Sequence, residues 1–112
     1  MDYFSFWEAP EKHYIAGLLR KHHTRVVIGH PTYKNANNIG KLLQKDIAGL
    51  RRVFPDEQAA IFISDGTKNT TTNDVSVFTE VQRAIKQAEE NAWAQTHLQC
   101  ICAVYDLSLI HI

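Results

Sequence analysis

The chain reads RVVIGHPTYKNANNIG at residues 25–40 and AAIFISDGTKN at residues 59–69. In both stretches an apolar run is followed by a polar turn, and a helical pattern comes next along the chain. A short apolar run without alternation is typical of a strand that is covered on both faces of a parallel sheet. Two such strand–turn–helix units in succession predict an α/β fold with a Rossmann-like parallel sheet and crossover helices.

Three strands are predicted, at about residues 25–29, 59–63 and 98–105. Pro31 fixes φ and has no N–H donor, so the first strand is expected to leave the sheet there. The first helix should begin at Pro10, since proline suits the first helical position. The predicted order is α-β-α-β-α-β, and the aromatic residues 1–9 are assigned to no element.

Two further helices lie between the predicted strands. The second begins near Asn37, with Asn35 or Asn37 as its cap, and the third is capped by Asp74. Helical spacing gives the second an apolar stripe of Ile39, Leu42, Leu43, Ile47, Leu50, Val53 and Phe54. The inward positions of the third are Val75, Phe78, Val81, Ile85, Ala88 and Ala92.

The bulk composition is that of an ordinary globular domain. The chain has 112 residues, and 12 Lys and Arg residues balance 12 Asp and Glu residues. A neutral chain has no global field that would attract nucleic acid or an anionic membrane. No apolar run approaches the roughly 18–20 residues that span a bilayer. We therefore expect neither a nucleic-acid partner nor a membrane segment.

The two cysteines indicate the redox environment in which the protein is expected to fold. Cys100 and Cys102 are the two cysteines of the chain, and they lie two residues apart in a predicted strand. This spacing is a poor geometry for a disulfide bond. We expect buried, reduced thiols, which are typical of a cytoplasmic protein.

The two turns carry the side chains that could bind a ligand. Open α/β sheets bind ligands at the carboxyl ends of their strands. In the first turn, Tyr33 offers a flat face for a ring, and hydroxyl and amide groups can form hydrogen bonds. In the second turn, the Asp65 carboxylate can accept from a ring N–H or a ribose hydroxyl, while Gly66 permits close backbone approach. Taken alone, each turn could also be an ordinary capped strand-to-helix turn.

Several other kinds of site are not expected. The chain has neither a G-x-x-x-x-G-K-[ST] motif nor a G-x-G-x-x-G motif after the first strand, which argues against P-loop enzymes and dinucleotide-binding dehydrogenases. His22 and His23 are adjacent, so they face apart on a helix, and nothing completes a metal-ligand set with His30. No nucleophile elbow or Ser-His-Asp arrangement is visible.

The two turns together resemble the opening of family-2-like glycosyltransferases of the GT-A fold. The likeness lies in the Pro-x-Tyr-x-Asn pattern of residues 31–35 and in the Ser-Asp-Gly of residues 64–66 at the end of the next strand. It is closest to the glucosyl-3-phosphoglycerate synthase and mannosylglycerate synthase type, and it covers about residues 24–105. The resemblance implies a transferase that moves a sugar from a UDP-sugar or GDP-sugar to an acceptor.

Carried over position by position, the resemblance implies a nucleotide-binding site. Its residues would be Pro31, Thr32, Tyr33, Asn35, Ser64, Asp65 and Gly66. The first three would pack around the base and Asp65 would meet the base edge. The family's Asp-x-Asp motif, which holds Mg²⁺ or Mn²⁺ against the diphosphate, is missing here. No metal ligand or catalytic residue is therefore assigned, although the intact enzyme is expected to use one of these ions.

We accordingly interpret the chain as the N-terminal part of a larger, incomplete GT-A fold that is inactive by itself. Residues 1–23 would form an aromatic segment and a helix, and residues 24–106 the nucleotide-binding half. Residues 107–112 would be a non-native tail translated from a library adapter. Two alternatives stay open, a nucleotidyltransferase-like enzyme and a non-catalytic flavodoxin-like interaction module.

Overall fold

The computed structural model of the protein describes residues 2–6, 11–32, 36–65, 82–84, 86–87 and 91–104. Four strands and three helices alternate in this part of the chain, and residues 82–84 and 86–87 are also helical. The elements are β1 (Asp2–Phe6), α1 (Lys12–Lys21), β2 (Val26–Thr32), α2 (Ala36–Val53), β3 (Ala59–Asp65), α3 (Ala92–His97) and β4 (Leu98–Val104).

The strands form one parallel sheet in the order β1-β4-β3-β2. Because β2, β3 and β4 are consecutive in the chain and adjacent in the sheet, they form a βαβαβ unit of the Rossmann-like kind. The predicted α/β class and parallel sheet are confirmed. The predicted count of three strands is wrong, since β1 adds a fourth that pairs with β4 from Asp2 opposite Gln99 to Phe6 opposite Ala103. Tyr3 of this strand packs against the hydrophobic core.

The strand β2 does not leave the sheet at Pro31. Pro31 pairs with Ser64, and Thr32 pairs with Asp65. The strand β2 therefore ends at Thr32 instead of residue 29, and β3 ends at Asp65 instead of residue 63. The physical reason is the position of β2, which lies at the edge of the described sheet. A proline without an N–H donor is tolerated on an edge strand, where one side of the backbone needs no partner.

The main core lies between α2 and one face of the sheet. On this face the largest fully buried side chains are Ile61, Ile63, Leu98, Cys100 and Cys102. The apolar stripe of α2 covers them, as predicted, through Ile39, Leu43, Ile47 and Leu50, with Leu42 half-buried. Val53 and Phe54 are exposed instead of buried. They stand at the end of the helix, where the turn toward β3 begins.

The opposite face of the sheet is covered unevenly. Its central residue Ile101 is fully buried, and the side-chain Nε2 of Gln99 donates to the carbonyl oxygen of Leu18 in α1 at 3.4 Å. On the edge strand, by contrast, the side chain of Val27 is 52% exposed. The expectation that the first apolar run is covered on both faces is therefore wrong, because α1 contributes no buried residue and lies by β4.

A short helix precedes β4. The Asn91 side chain accepts hydrogen bonds from the backbone N–H groups of Trp93 and Ala94 and so begins α3 as a separate element. Trp93 and Ala94 are buried, whereas Ala92, which was predicted to face inward, is exposed. The other inward positions predicted for the third helix, its Asp74 cap and the tail at residues 107–112 lie outside the described residues. None of the described helices combines the length and apolarity needed to cross a membrane.

Candidate functional site

The carboxyl ends of β2, β3 and β4 lie level with one another. Thr32 is opposite Asp65, and Asp65 is opposite Val104. Parallel strands that end in register gather the segments that follow them at one edge of the sheet, which we call the carboxyl edge. Of the seven predicted site residues, four occupy the last two positions of β2 and β3, namely Pro31, Thr32, Ser64 and Asp65. Tyr33, Asn35 and Gly66 lie outside the described residues.

Side-chain alternation separates the two faces of the sheet at this edge. Pro31 and Ser64 are neighbours in the register, and side chains directly opposite each other in a sheet share one face. Pro31 is exposed and Ser64 is half-buried. Their face is the one on which Val27 is also exposed. A hydroxyl group beside an exposed proline ring could hydrogen-bond a ligand that lies over the end of the sheet.

A histidine–aspartate pair stands one residue before Pro31, on the face covered by α2. The ring Nε2 of His30 and the carboxylate Oδ2 of Asp46 form a hydrogen bond. Their side chains are 21% and 15% exposed, respectively. The pair therefore ties the end of β2 to the middle of α2 by a directional polar contact that is largely removed from water.

This pair was not predicted from the sequence, although two periodic patterns indicate it. His30 continues the alternation of Val26 and Ile28, both of which pack against the core. On α2, Asp46 directly precedes the buried Ile47 and so borders the apolar stripe. Period two in the strand and period 3.6 in the helix place the two polar side chains on facing surfaces.

The described residues do not supply a metal centre. No group of three or more His, Cys, Asp or Glu side chains within the described ranges could hold a metal ion. Asp46, the one acidic residue of α2, is already hydrogen-bonded to His30. This part of the chain therefore does not fit the Mg²⁺ or Mn²⁺ implied by the family resemblance, and no chemical step is assigned to such an ion.

Two grooves are lined by described residues. One has a volume of about 560 Å³, extends along α2 from Gln44 to Arg52, and also includes Gln87 and Asn91. The other has a volume of about 470 Å³ and includes Arg25 and Gln58, which directly precede β2 and β3. Neither groove includes a predicted site residue.

Among the described residues, the pKa values of Cys100 and His22 are shifted. Burial, with smaller effects of Cys102 and Asp46, raises the pKa of the Cys100 thiol. Cys100 and Cys102 are both buried and neither forms a disulfide bond, as expected from the sequence. Burial also lowers the pKa of His22 near the start of β2, and the nearby Asp2 opposes this effect. A protonated, buried thiol is a poor nucleophile, so Cys100 contributes packing to the core.

Comparison with known proteins gives no match to a protein-family model, to a curated protein or to a solved structure. The candidate site is therefore defined by the parallel sheet, by the register of its carboxyl edge and by the residue types that the sequence places there.

Proposed function

We propose that this chain forms the nucleotide-binding half of a glycosyltransferase of the GT-A fold and holds the nucleotide of a UDP-sugar or GDP-sugar. The single observation that carries the proposal is the pairing of Pro31 with Ser64 and of Thr32 with Asp65 at the carboxyl edge. This register supports the proposal because the Pro-x-Tyr-x-Asn and Ser-Asp-Gly patterns resemble a family only as a pair. Two patterns that begin on adjacent strand ends could act on one ligand.

The proposed roles follow from the chemistry of the side chains. Tyr33, together with Pro31, would pack against the face of the base, since aromatic rings stack on nucleobases. The Asp65 carboxylate would accept a hydrogen bond from a ring N–H, which uracil and guanine both present. Ser64 would lie beside the same nucleotide. The sugar would be transferred to an acceptor by parts of the enzyme that these residues do not form.

The proposal is tested by titrating the 112-residue chain with UDP and with GDP. Isothermal titration calorimetry measures the affinity, and two-dimensional NMR identifies the residues that respond. We expect binding of one or both nucleotides, with the largest amide shifts at Thr32, Ser64 and Asp65. Because the contact is to the base, the matching nucleoside should compete for the site, whereas inorganic diphosphate alone should not.

Two variants sharpen this test. Asp65→Ala should weaken nucleotide binding by about 1–3 kcal/mol, the cost of a lost buried partner. The matched control is Asp56→Ala, which removes an exposed carboxylate from the turn before β3, at the opposite end of the sheet. Its affinity should equal that of the unaltered chain. Absence of nucleotide binding, or equal affinities of the two variants, would contradict the proposed function and favour an interaction module.

A further inference from the structure

The contact between His30 and Asp46 joins two elements on either side of a short connection. His30 lies two residues before the end of β2, and Asp46 lies in the middle of α2. The chain between them leaves the sheet after Thr32 and enters the helix at Ala36. A contact between the strand and the helix therefore fixes the end of β2, where Pro31 and Thr32 lie, relative to α2.

The other contacts of α2 with the sheet are of a different kind. Ile39 and Leu43 are fully or almost fully buried on the helix and belong to the hydrophobic core. The hydrophobic effect itself is non-directional and depends mainly on the apolar area that is buried. The hydrogen bond from His30 to Asp46 is directional and charge-assisted, and it defines one register of α2 on β2.

Stability alone does not account for a polar pair at this place. The alternation of β2 puts Val26 and Ile28 on the same face, where they pack against the core. Replacing both partners of a buried hydrogen bond by apolar side chains of similar shape is often nearly neutral or stabilising. The pair also lies immediately before the first residue of the proposed nucleotide site, where a defined register has most effect on ligand geometry.

We propose that His30 and Asp46 are positioning residues that hold the end of β2, with Pro31 and Thr32, in the geometry required for nucleotide binding. This inference rests on the proposed function, because its main readout is nucleotide affinity. Neither residue is assigned a contact with the nucleotide or with the sugar.

The decisive variant is the double change His30→Leu and Asp46→Leu, made in the full 112-residue chain. Since both polar partners are replaced together, no buried charge is left unpaired, and the thermal midpoint should stay equal or rise. We expect the affinity for UDP or GDP to fall about tenfold despite this stability. A purely structural pair would give the opposite pattern, with unchanged affinity in a chain that remains folded.

Single variants give a second test if the double variant does not fold. Asp46→Ala should lower nucleotide affinity about tenfold, because His30 loses its acceptor. Asp46→Asn keeps a carbonyl oxygen that can accept from the ring N–H, so it should recover most of the affinity. Lys45→Ala, at the exposed neighbouring position of α2, is the matched control and should bind as the unaltered chain does. Equal affinities of the Ala and Asn variants would overturn the positioning role.

Amide hydrogen exchange without nucleotide separates this inference from the proposed function. In the double variant, exchange should be faster at Thr32 at the end of β2 and at Gly40 near the start of α2, and unchanged at Ile61 in the centre of the sheet. An unaltered chain that binds neither nucleotide would overturn both proposals. An unaltered chain that binds, together with a double variant that binds equally well and exchanges equally slowly, would overturn the positioning role alone.

Discussion

The indole Nε1 of Trp93 donates a hydrogen bond to the carbonyl oxygen of Pro55 at 2.7 Å. It thereby connects α3, which is only six residues long, to the turn between α2 and β3. Trp93→Phe keeps an aromatic ring but removes the donor, and we expect the free energy of unfolding to fall by about 1–2 kcal/mol. Urea unfolding followed by far-ultraviolet circular dichroism measures this change.

Phe54→Leu is the control for this prediction. It is a conservative change at an aromatic ring that is 41% exposed, beside the same turn. It should alter the free energy of unfolding by no more than about 0.5 kcal/mol, as is usual for surface positions. Equal losses in the two variants would mean that the Trp93 hydrogen bond adds nothing beyond the packing of its ring.

The local sequence pattern was sufficient to predict the three strands of the βαβαβ unit and the buried face of α2. The apolar runs at β2, β3 and β4 identified the strands, and the helical spacing of Ile39, Leu43, Ile47 and Leu50 identified the buried stripe. These features depend on residues that are close in sequence. The predicted carboxyl edge followed from them, because parallel strands end at the same side of a sheet.

The errors arose where distant residues decide the structure. The strand β1 exists through its pairing with β4, nearly a hundred residues away in sequence, and β-structure depends strongly on such context. Pro31 remains in the sheet because β2 is at an edge, which local pattern does not reveal. The separate start of α3 depends on the Asn91 cap within a segment that also reads as continuous helix.

One face of the sheet is buried at β4 but exposed at the edge strand β2. Truncating a side chain on this face should therefore reduce the free energy of unfolding more at β4 than at β2. Ile101 in β4 is fully buried, whereas Val27 in the edge strand β2 is 52% exposed. Ile101→Ala should reduce the free energy of unfolding by about 2–5 kcal/mol, through lost burial and a cavity. Val27→Ala should reduce the free energy of unfolding by about 1 kcal/mol or less, because its effect at a half-exposed position is limited to the difference in β-propensity. Chemical denaturation of both variants measures the difference, and a similar cost at both sites would contradict the observed exposure of Val27.

The raised pKa of the Cys100 thiol predicts a loss of stability at alkaline pH. An unfolded cysteine has a pKa of about 8.5, so the unfolded state releases this proton while the folded state retains it. Stability from this group is therefore complete below about pH 8.5 and decreases as the pH rises above that value. Urea unfolding in a series of buffers from about pH 7 to pH 10 measures the decrease.

Cys100→Ala isolates this effect from the titration of lysines and tyrosines, which also changes in alkaline buffers. The variant should be less stable near neutral pH, because a buried side chain is truncated. Its stability should decrease less steeply with pH than that of the unaltered chain. Parallel slopes in the two proteins would show that the Cys100 thiol does not contribute to the alkaline loss.

The proposed stacking of a base on Tyr33 predicts a graded response of nucleotide affinity to ring substitutions. Tyr33→Phe retains the flat ring and should bind UDP or GDP nearly as well as the unaltered chain. Tyr33→Ala removes the ring and should lose about 1–3 kcal/mol of binding free energy, as is typical of base–aromatic stacking. Tyr14→Ala is the matched control, because Tyr14 lies on α1 with its side chain 50% exposed and belongs to no proposed site. Calorimetric titration measures all three affinities, and equal weakening in the Phe and Ala variants would indicate that the hydroxyl group, rather than the ring face, contacts the nucleotide.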